Sequence, residues 1–160
     1  VYFFCPEKSI MIPEAARQLI ECRSFECLLL VHPQVDRLHE IRAEILTLTS
    51  LSEINIGQEL SRYLLDKPRA DRGRLIQDWL IQQLNTASEK AALLSNVAIL
   101  FEPEFNLDPL ALFRHAGRRK PVVVLWPGEF SNGILTYAVP DHRHFRLWHS
   151  PAADVYTCGG

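Results

Sequence analysis

Charge of one sign is missing from this sequence: 17 lysines and arginines stand against 19 aspartates and glutamates, for a formal net charge of -2. The whole molecule therefore projects no strong field toward DNA or an acidic membrane, and any nucleic-acid contact has to come from a local patch. Long hydrophobic runs are also missing. The longest, over 97–101 and 122–126, fall far short of the roughly 20 apolar residues that span a bilayer, so no membrane contact is expected. Paired cysteines are absent as well. Cys5, Cys22, Cys27 and Cys158 form no CxxC pair, no disulfide framework and no zinc spacing, which points to a reduced, cytoplasmic compartment. Residues 1–5 carry no basic region and the run breaks at Pro6, which is not the pattern of a secretory signal. No serine sits in a G-x-S-x-G turn, which argues against a hydrolase of that kind. There is no internal repeat and no low-complexity tract.

What is present is enough apolar content, 48% of 160 residues, to fill one core. The expectation is a single α/β domain over 1–150 with a flexible tail over 151–160. Helical spacing predicts helices over 12–22, with Pro13 in the first turn, over 36–47 and 59–65, over 71–92 after the break at Lys67-Pro68-Arg69, and over 109–115. Strands are expected over 27–31, 52–56, 97–101, 122–126, 134–139 and 145–148. The continuous apolar runs 97–101 and 122–126, separated by a helix, imply parallel strands covered on both faces. Ser131-Asn132-Gly133 reads as a tight turn between the later strands.

Several segments occur in an order that carries more than any one of them. These are Asn55-Ile56-Gly57-Gln58-Glu59-Leu60 with its continuation to Leu65, Asn96-Val97-Ala98-Ile99-Leu100-Phe101-Glu102, and Leu107-Asp108-Pro109-Leu110. Val123-Val124-Leu125-Trp126-Pro127-Gly128 and Gly133-Ile134-Leu135-Thr136-Tyr137-Ala138 follow. Over this span the chain resembles the BrxF family, small P-loop proteins of type 3 BREX phage-defence systems. The resemblance implies a three-layer P-loop NTPase (AAA+)-like fold with a mostly parallel five-stranded sheet flanked by helices. It also implies a bacterial cytoplasmic setting and work beside a large ATPase, a DNA methyltransferase, a helicase and an alkaline-phosphatase-like protein. Such systems modify host DNA and block phage replication.

At the phosphate loop the chain departs from that family. The G-x-x-x-x-G-K-[ST] pattern uses glycines so that backbone amides close on phosphate, a lysine for the terminal phosphates and a hydroxyl for magnesium. After the strand 27–31, His32 and Arg37 take the two glycine positions, Leu38 the lysine and His39 the hydroxyl; Pro33 alone matches the usual loop. Asp36 fits the N-cap of the following helix, and Arg37 could serve phosphate only as a shifted charge. A P-loop ATPase further needs an acid at the end of a strand two sheet positions away. Glu102, after the run 97–101, is the candidate, with Glu104 or Asp108 assisting, set against the common use of strand-end carboxylates as solvated loop residues. Trp126, where relatives place a polar sensor, is expected to fill core.

Two basic clusters could meet DNA or an acidic protein: Lys67, Arg69, Arg72 and Arg74, and Arg114, Arg118, Arg119 and Lys120, with Arg143 and Arg146 as possible additions. His142, His144, His149 and Cys158 lack a regular ligand spacing, and no metal is expected. Phe105, Phe113 and Phe130 belong to core or to a partner surface. The reading is a pseudo-NTPase subunit of a defence complex, acting by protein contacts, with DNA contact as a variant, and with no cofactor. The alternative is a working ATPase that takes ATP and magnesium through an unorthodox loop. Homo-oligomerisation is left open.

Overall fold

The computed structural model describes residues 11–138 and 143–159; the readings of residues 1–5 and of His142 lie outside them. The chain runs α1 (Glu14–Cys22), β1 (Cys27–His32), α2 (Val35–Leu48), β2 (Ser52–Asn55), α3 (Ile56–Leu64), α4 (Arg72–Thr86) and β3 (Ala92–Ser95). It continues through α5 (Pro109–Arg119), β4 (Val122–Ser131), β5 (Ile134–Tyr137), β6 (Arg146–His149) and β7 (Asp154–Thr157). The main sheet has the order β2-β3-β4-β1-β7, and every pairing in it is parallel.

Side chains alternate across a strand, and here both faces are apolar. Cys27, Leu29 and Val31 of β1, with Val122, Val124 and Trp126 of β4, pack on the side of α3, α4 and α5. Leu28 and Leu30, with Val123 and Leu125, pack under α1 and α2 through Ala16, Ile20, Leu38, Ile41 and Ile45. The result is a three-layer α/β domain. Truncating a side chain such as Leu29, which has no exposed surface, to alanine costs about 2–5 kcal/mol.

Beyond the parallel register, β4 continues past Pro127 and pairs antiparallel with β5, which pairs with β6. Proline has no amide to donate, and Pro127 stands where parallel pairing with His32 ends and pairing of Gly128 with Tyr137 begins. The hairpin is anchored by Trp126. Its indole N–H donates to the Thr136 carbonyl at 2.9 Å, and its ring meets Phe101 and Trp148 edge-on, with centroids 5.0 and 5.2 Å away. The expectation that Trp126 fills core holds.

Three expectations are corrected. Val97–Phe101 is not a strand but a 3-10 segment, followed by a second 3-10 turn, Pro103–Phe105. The strand is Ala92–Ser95, so α4 stops at Thr86 rather than running to 92. The tail over 151–160 is not loose: Asp154–Thr157 forms β7 beside β1, and the Cys158 N–H donates to the Val31 carbonyl at 2.9 Å. The fifth parallel strand therefore comes from the segment expected to be flexible.

Candidate functional site: a crevice at the carboxyl end of the sheet

Open α/β sheets place ligands outside the carboxyl ends of their strands, where neighbouring connections leave toward opposite faces. In this chain β1 leads to α2 on one face and β3 leads to α5 on the other. A crevice of about 300 Å³ lies there, with Leu38, His39, Val97, Leu125 and Pro127 among its walls.

The connection from β1 to α2 consists of Pro33 and Gln34 alone. The Gln34 N–H donates to Nδ1 of His32 at 3.0 Å. The Gln34 carbonyl accepts from the N–H groups of Arg37 and Leu38 at 3.1 and 3.2 Å. Gln34 is thus the N-cap residue, and Asp36 lies inside the first turn rather than capping it. Its carboxylate favours the positive end of the helix dipole from there. Residues 35–39, where a phosphate cradle would wrap its ligand, are helix.

The side chains follow from that geometry. Leu38, expected from the sequence at the position of a phosphate-binding lysine, is 7% exposed and belongs to the core under α2. Arg37 points outward and pairs with Glu40 at 2.9 Å. His39 reaches the crevice, while His32 is 8% exposed and bound to its own turn.

Two positions from β1, across β4, stands β3, the strand that would carry an acid in a P-loop ATPase. It ends at Ser95 and is followed by Asn96, neither acidic. The Ser95 hydroxyl donates to Glu53 at 3.0 Å, and Glu53 accepts two hydrogen bonds of 2.6 Å each from the Arg42 guanidinium. The Arg42 hydrogen bond pulls the Glu53 carboxyl below its ordinary range against the opposing effect of burial, with Ser95 assisting. The same bond raises the Arg42 pKa. The Asn96 amide donates to Asn55 Oδ1 at 3.1 Å, the oxygen that also caps α3 by accepting from the Gln58 N–H. Asn96 holds a left-handed φ of 54°, and Gly57 leaves room for it, because a Cβ at Gly57 would run into the Asn96 side chain.

Glu102 is elsewhere. It lies beyond the 3-10 segment and lines a separate cavity of about 280 Å³ with Asn106, Arg143 and His144. Its carboxylate is 3.9 Å from His144 Nδ1. The placement that made it a catalytic candidate, the end of a strand, is corrected: the strand ends at Ser95. Glu104 pairs with Arg69 at 3.9 Å, and Asp108 caps α5 and accepts from the Trp148 indole at 3.0 Å.

The basic clusters sit at opposite ends of the helical layer. The first lies at the start of α4, where Gly73 packs against the Phe105 carbonyl beyond the carboxyl end of β3. Each of its members has a partner. Lys67 lies 3.7 Å from Asp66, Arg69 meets Glu104, Arg72 donates to the Lys67 carbonyl at 3.3 Å, and Arg74 meets Asp71 at 3.3 Å. The second lies at the end of α5, beside the start of β4. There Lys120 is a structural clamp, donating to the carbonyls of Ala87 and Glu89 at 3.0 and 2.9 Å. Arg114 and Arg118 line a cavity, and Arg119 is exposed. Arg146 donates to the Leu107 carbonyl at 2.9 Å.

Among the described residues no group of three His, Cys, Asp or Glu side chains is placed to hold a metal, and no helix is long and apolar enough to cross a membrane. Phe105 and Phe113 are core, and Phe130 is half-buried against it. The residues that shape the crevice, Arg42, Glu53, Ser95 and Asn96, are not among those expected from sequence. The one signal for them was a charged residue, Glu53, within a short strand that ends beside the crevice. Compared with protein-family models, with curated proteins and with solved structures, the chain matches none.

Proposed function

We propose that this chain is a non-catalytic, P-loop-like domain that serves as a structural or regulatory subunit through protein contacts. On the resemblance to BrxF, its setting is a cytoplasmic BREX-type anti-phage assembly containing a large ATPase, a methyltransferase and a phosphatase-like protein. The observation that carries the non-catalytic reading is the two-residue connection Pro33-Gln34. A phosphate cradle needs a loop whose successive amides converge on one anion; amides committed to a helical turn from residue 37 onward do not converge. The P-loop-like part rests on the strand order, in which β4 separates β1 from β3. The crevice residues add to the case. Arg42 is neutralised by Glu53, and Ser95 and Asn96 stand where an acid would hold magnesium or orient water.

Titration of the full chain with ATP and magnesium, followed by amide chemical shifts, tests this directly. Residues 32–39 and 95–98 are expected to stay unmoved, with no phosphate released. Saturable movement there accompanied by hydrolysis would overturn the reading and favour an ATPase. The subunit role is tested by co-expression with the large ATPase and methyltransferase of a BREX system. A complex of fixed stoichiometry should form without nucleotide, and a chain that elutes alone throughout would overturn it.

A further inference from the structure

At the opposite end of the sheet, where β1 and β7 begin and α5 stops, lies a cavity of about 580 Å³ lined by Ser24, Glu26, Cys27, Arg114, Arg118 and Asp154. Its size falls in the range of small-molecule sites, roughly 300–1,000 Å³. Arg114 and Arg118 are one helical turn apart and so share a face of α5. Among the described residues neither guanidinium has a hydrogen bond or ion pair, in contrast to the arginines at the start of α4. Arg118 and Arg119, in the last turn, complement the negative end of the helix dipole. Arg114 does not: it sits mid-helix and half-buried, and a partly buried charge without a partner costs stability unless something else pairs with it.

The cavity also holds acids. Glu26 and Asp154 line it with the buried Cys27, whose thiol is pushed up to about 12 by burial, while Arg114 draws it down and Asp154 and Glu26 raise it further. Arg114, Glu26 and Asp154 thus line the same cavity, and no ion pair closes among them. Gly117 fixes this arrangement, because a Cβ there would lie 2.5 Å from the Glu26 carbonyl oxygen; α5 is held against the chain leading into β1.

Two guanidiniums and two carboxylates sum to no net charge. A uniformly anionic partner such as a duplex backbone would meet the carboxylates as well as the arginines. A compact ligand with an anionic end and a hydroxyl-bearing end satisfies both sets: arginine forks match phosphate, and carboxylates accept hydrogen bonds from sugar hydroxyls, as acidic residues do at the ribose of dinucleotide sites. We propose that this cavity binds a phosphate monoester of a polyol, of the sugar-phosphate or mononucleotide class, with Arg114 and Arg118 on the phosphate and Asp154 and Glu26 on the hydroxyls.

Ribose 5-phosphate, inorganic phosphate and ribose are the probes, titrated into the full chain with amide shifts and Tm as readouts. Ribose 5-phosphate should move the amides of 24–27, 114–118 and 152–154 and raise Tm. R114Q/R118Q should bind it about tenfold or more weakly, the loss expected of a charge-assisted fork. R118Q alone, at an exposed position, should show a smaller loss, which keeps the test valid if the double variant folds poorly. D154N should narrow the preference for ribose 5-phosphate over inorganic phosphate. Unmoved amides, or unchanged affinity in R118Q and R114Q/R118Q, would overturn the proposal. So would duplex DNA moving these amides where ribose 5-phosphate does not. ATP that moves only 114–118 supports this cavity and leaves the reading of 32–39 intact, whereas movement confined to 32–39 counts against that reading alone.

Discussion

Arg42 on α2 and Glu53 on β2 are joined by two hydrogen bonds of 2.6 Å each, across the mouth of the crevice at the carboxyl end of the sheet. The pair ties a helix of one layer to an edge strand of the sheet, and through Ser95 it reaches the end of β3. All three residues line the crevice, and their polar groups are spent on one another. At this end of the sheet the pair supplies cohesion between layers.

Replacing Glu53 by glutamine should lower stability by about 1 kcal/mol, read by chemical denaturation; the figure stays small because Arg42 is 40% exposed and screened by solvent. Because the folded carboxyl titrates below its ordinary value of 4.5, the pair's contribution is complete above that value and is lost as pH falls through the lower folded pKa. E53Q should lack this acid-side slope. An equal slope in both proteins would show that Glu53 is not linked to folding.

Cys27 and Cys158 have thiols pushed up to about 12, chiefly by burial, whereas Cys22 is exposed. Since the thiolate is the nucleophile, alkylation at pH 8 with peptide mapping should label Cys22 in the folded protein and reach Cys27 and Cys158 only in denaturant. With folded values raised above 9.0, both thiols contribute stability in full below pH 9 that is lost as pH rises toward 12. Labelling of Cys158 as fast as Cys22 would mean that β7 detaches.

Truncation after Ser150 removes β7 and leaves β1 as an unpaired edge of unbroken apolar sequence. A loss of roughly 3 kcal/mol or more is expected from the buried contacts of β7 and Cys158, together with aggregation that increases with protein concentration. A melt indistinguishable from the full chain would restore the picture of a loose tail.

Two glycines of the hairpin should respond differently to alanine. A Cβ at Gly128 would run into the Thr136 carbonyl and crowd the Trp126 indole, so G128A should cost about 2 kcal/mol or more and alter the near-ultraviolet dichroism of the tryptophans. Gly133 has a φ of +75° but open space around it, so G133A should cost only about 1 kcal/mol, the backbone penalty alone. Equal losses would show that the hairpin is not seated against Trp126.

The strands expected over 27–31, 52–56, 122–126, 134–139 and 145–148 are present as β1, β2, β4, β5 and β6; the plainest in the sequence, β1 and β4, are those buried on both faces and rich in valine and leucine. The run Val97–Phe101 looked alike but is not a strand, and its burial shows why. Val97, Leu100 and Phe101 are buried while Ala98 is exposed, which is helical spacing that a five-residue window does not separate from a strand. The true strand, Ala92–Ser95, is built from alanine and leucine, good helix formers, and so merged with the periodicity of α4. With the strand displaced to 97–101, the residue at its expected end is Glu102, whereas the residues at its actual end are Ser95 and Asn96. β7 was hidden for another reason: Asp154-Val155-Tyr156-Thr157 is short and half polar, and its partner lies far away in the chain. That residues 32–39 lack the glycines and lysine of a phosphate cradle is visible in the residues themselves. The shortness of the turn before α2 was not, because placing Asp36 as the cap left the loop one residue pair longer than it is.

β1 lies between β4 and β7, both of which belong to the last quarter of the chain. During synthesis from the amino terminus, β1 thus waits, unaccompanied on either flank, until β4 has been made. Parallel pairings between such distant segments close slowly, so a newly made chain passes through an interval with this strand bare, and in that interval a chaperone or an early companion protein has most to gain from holding it.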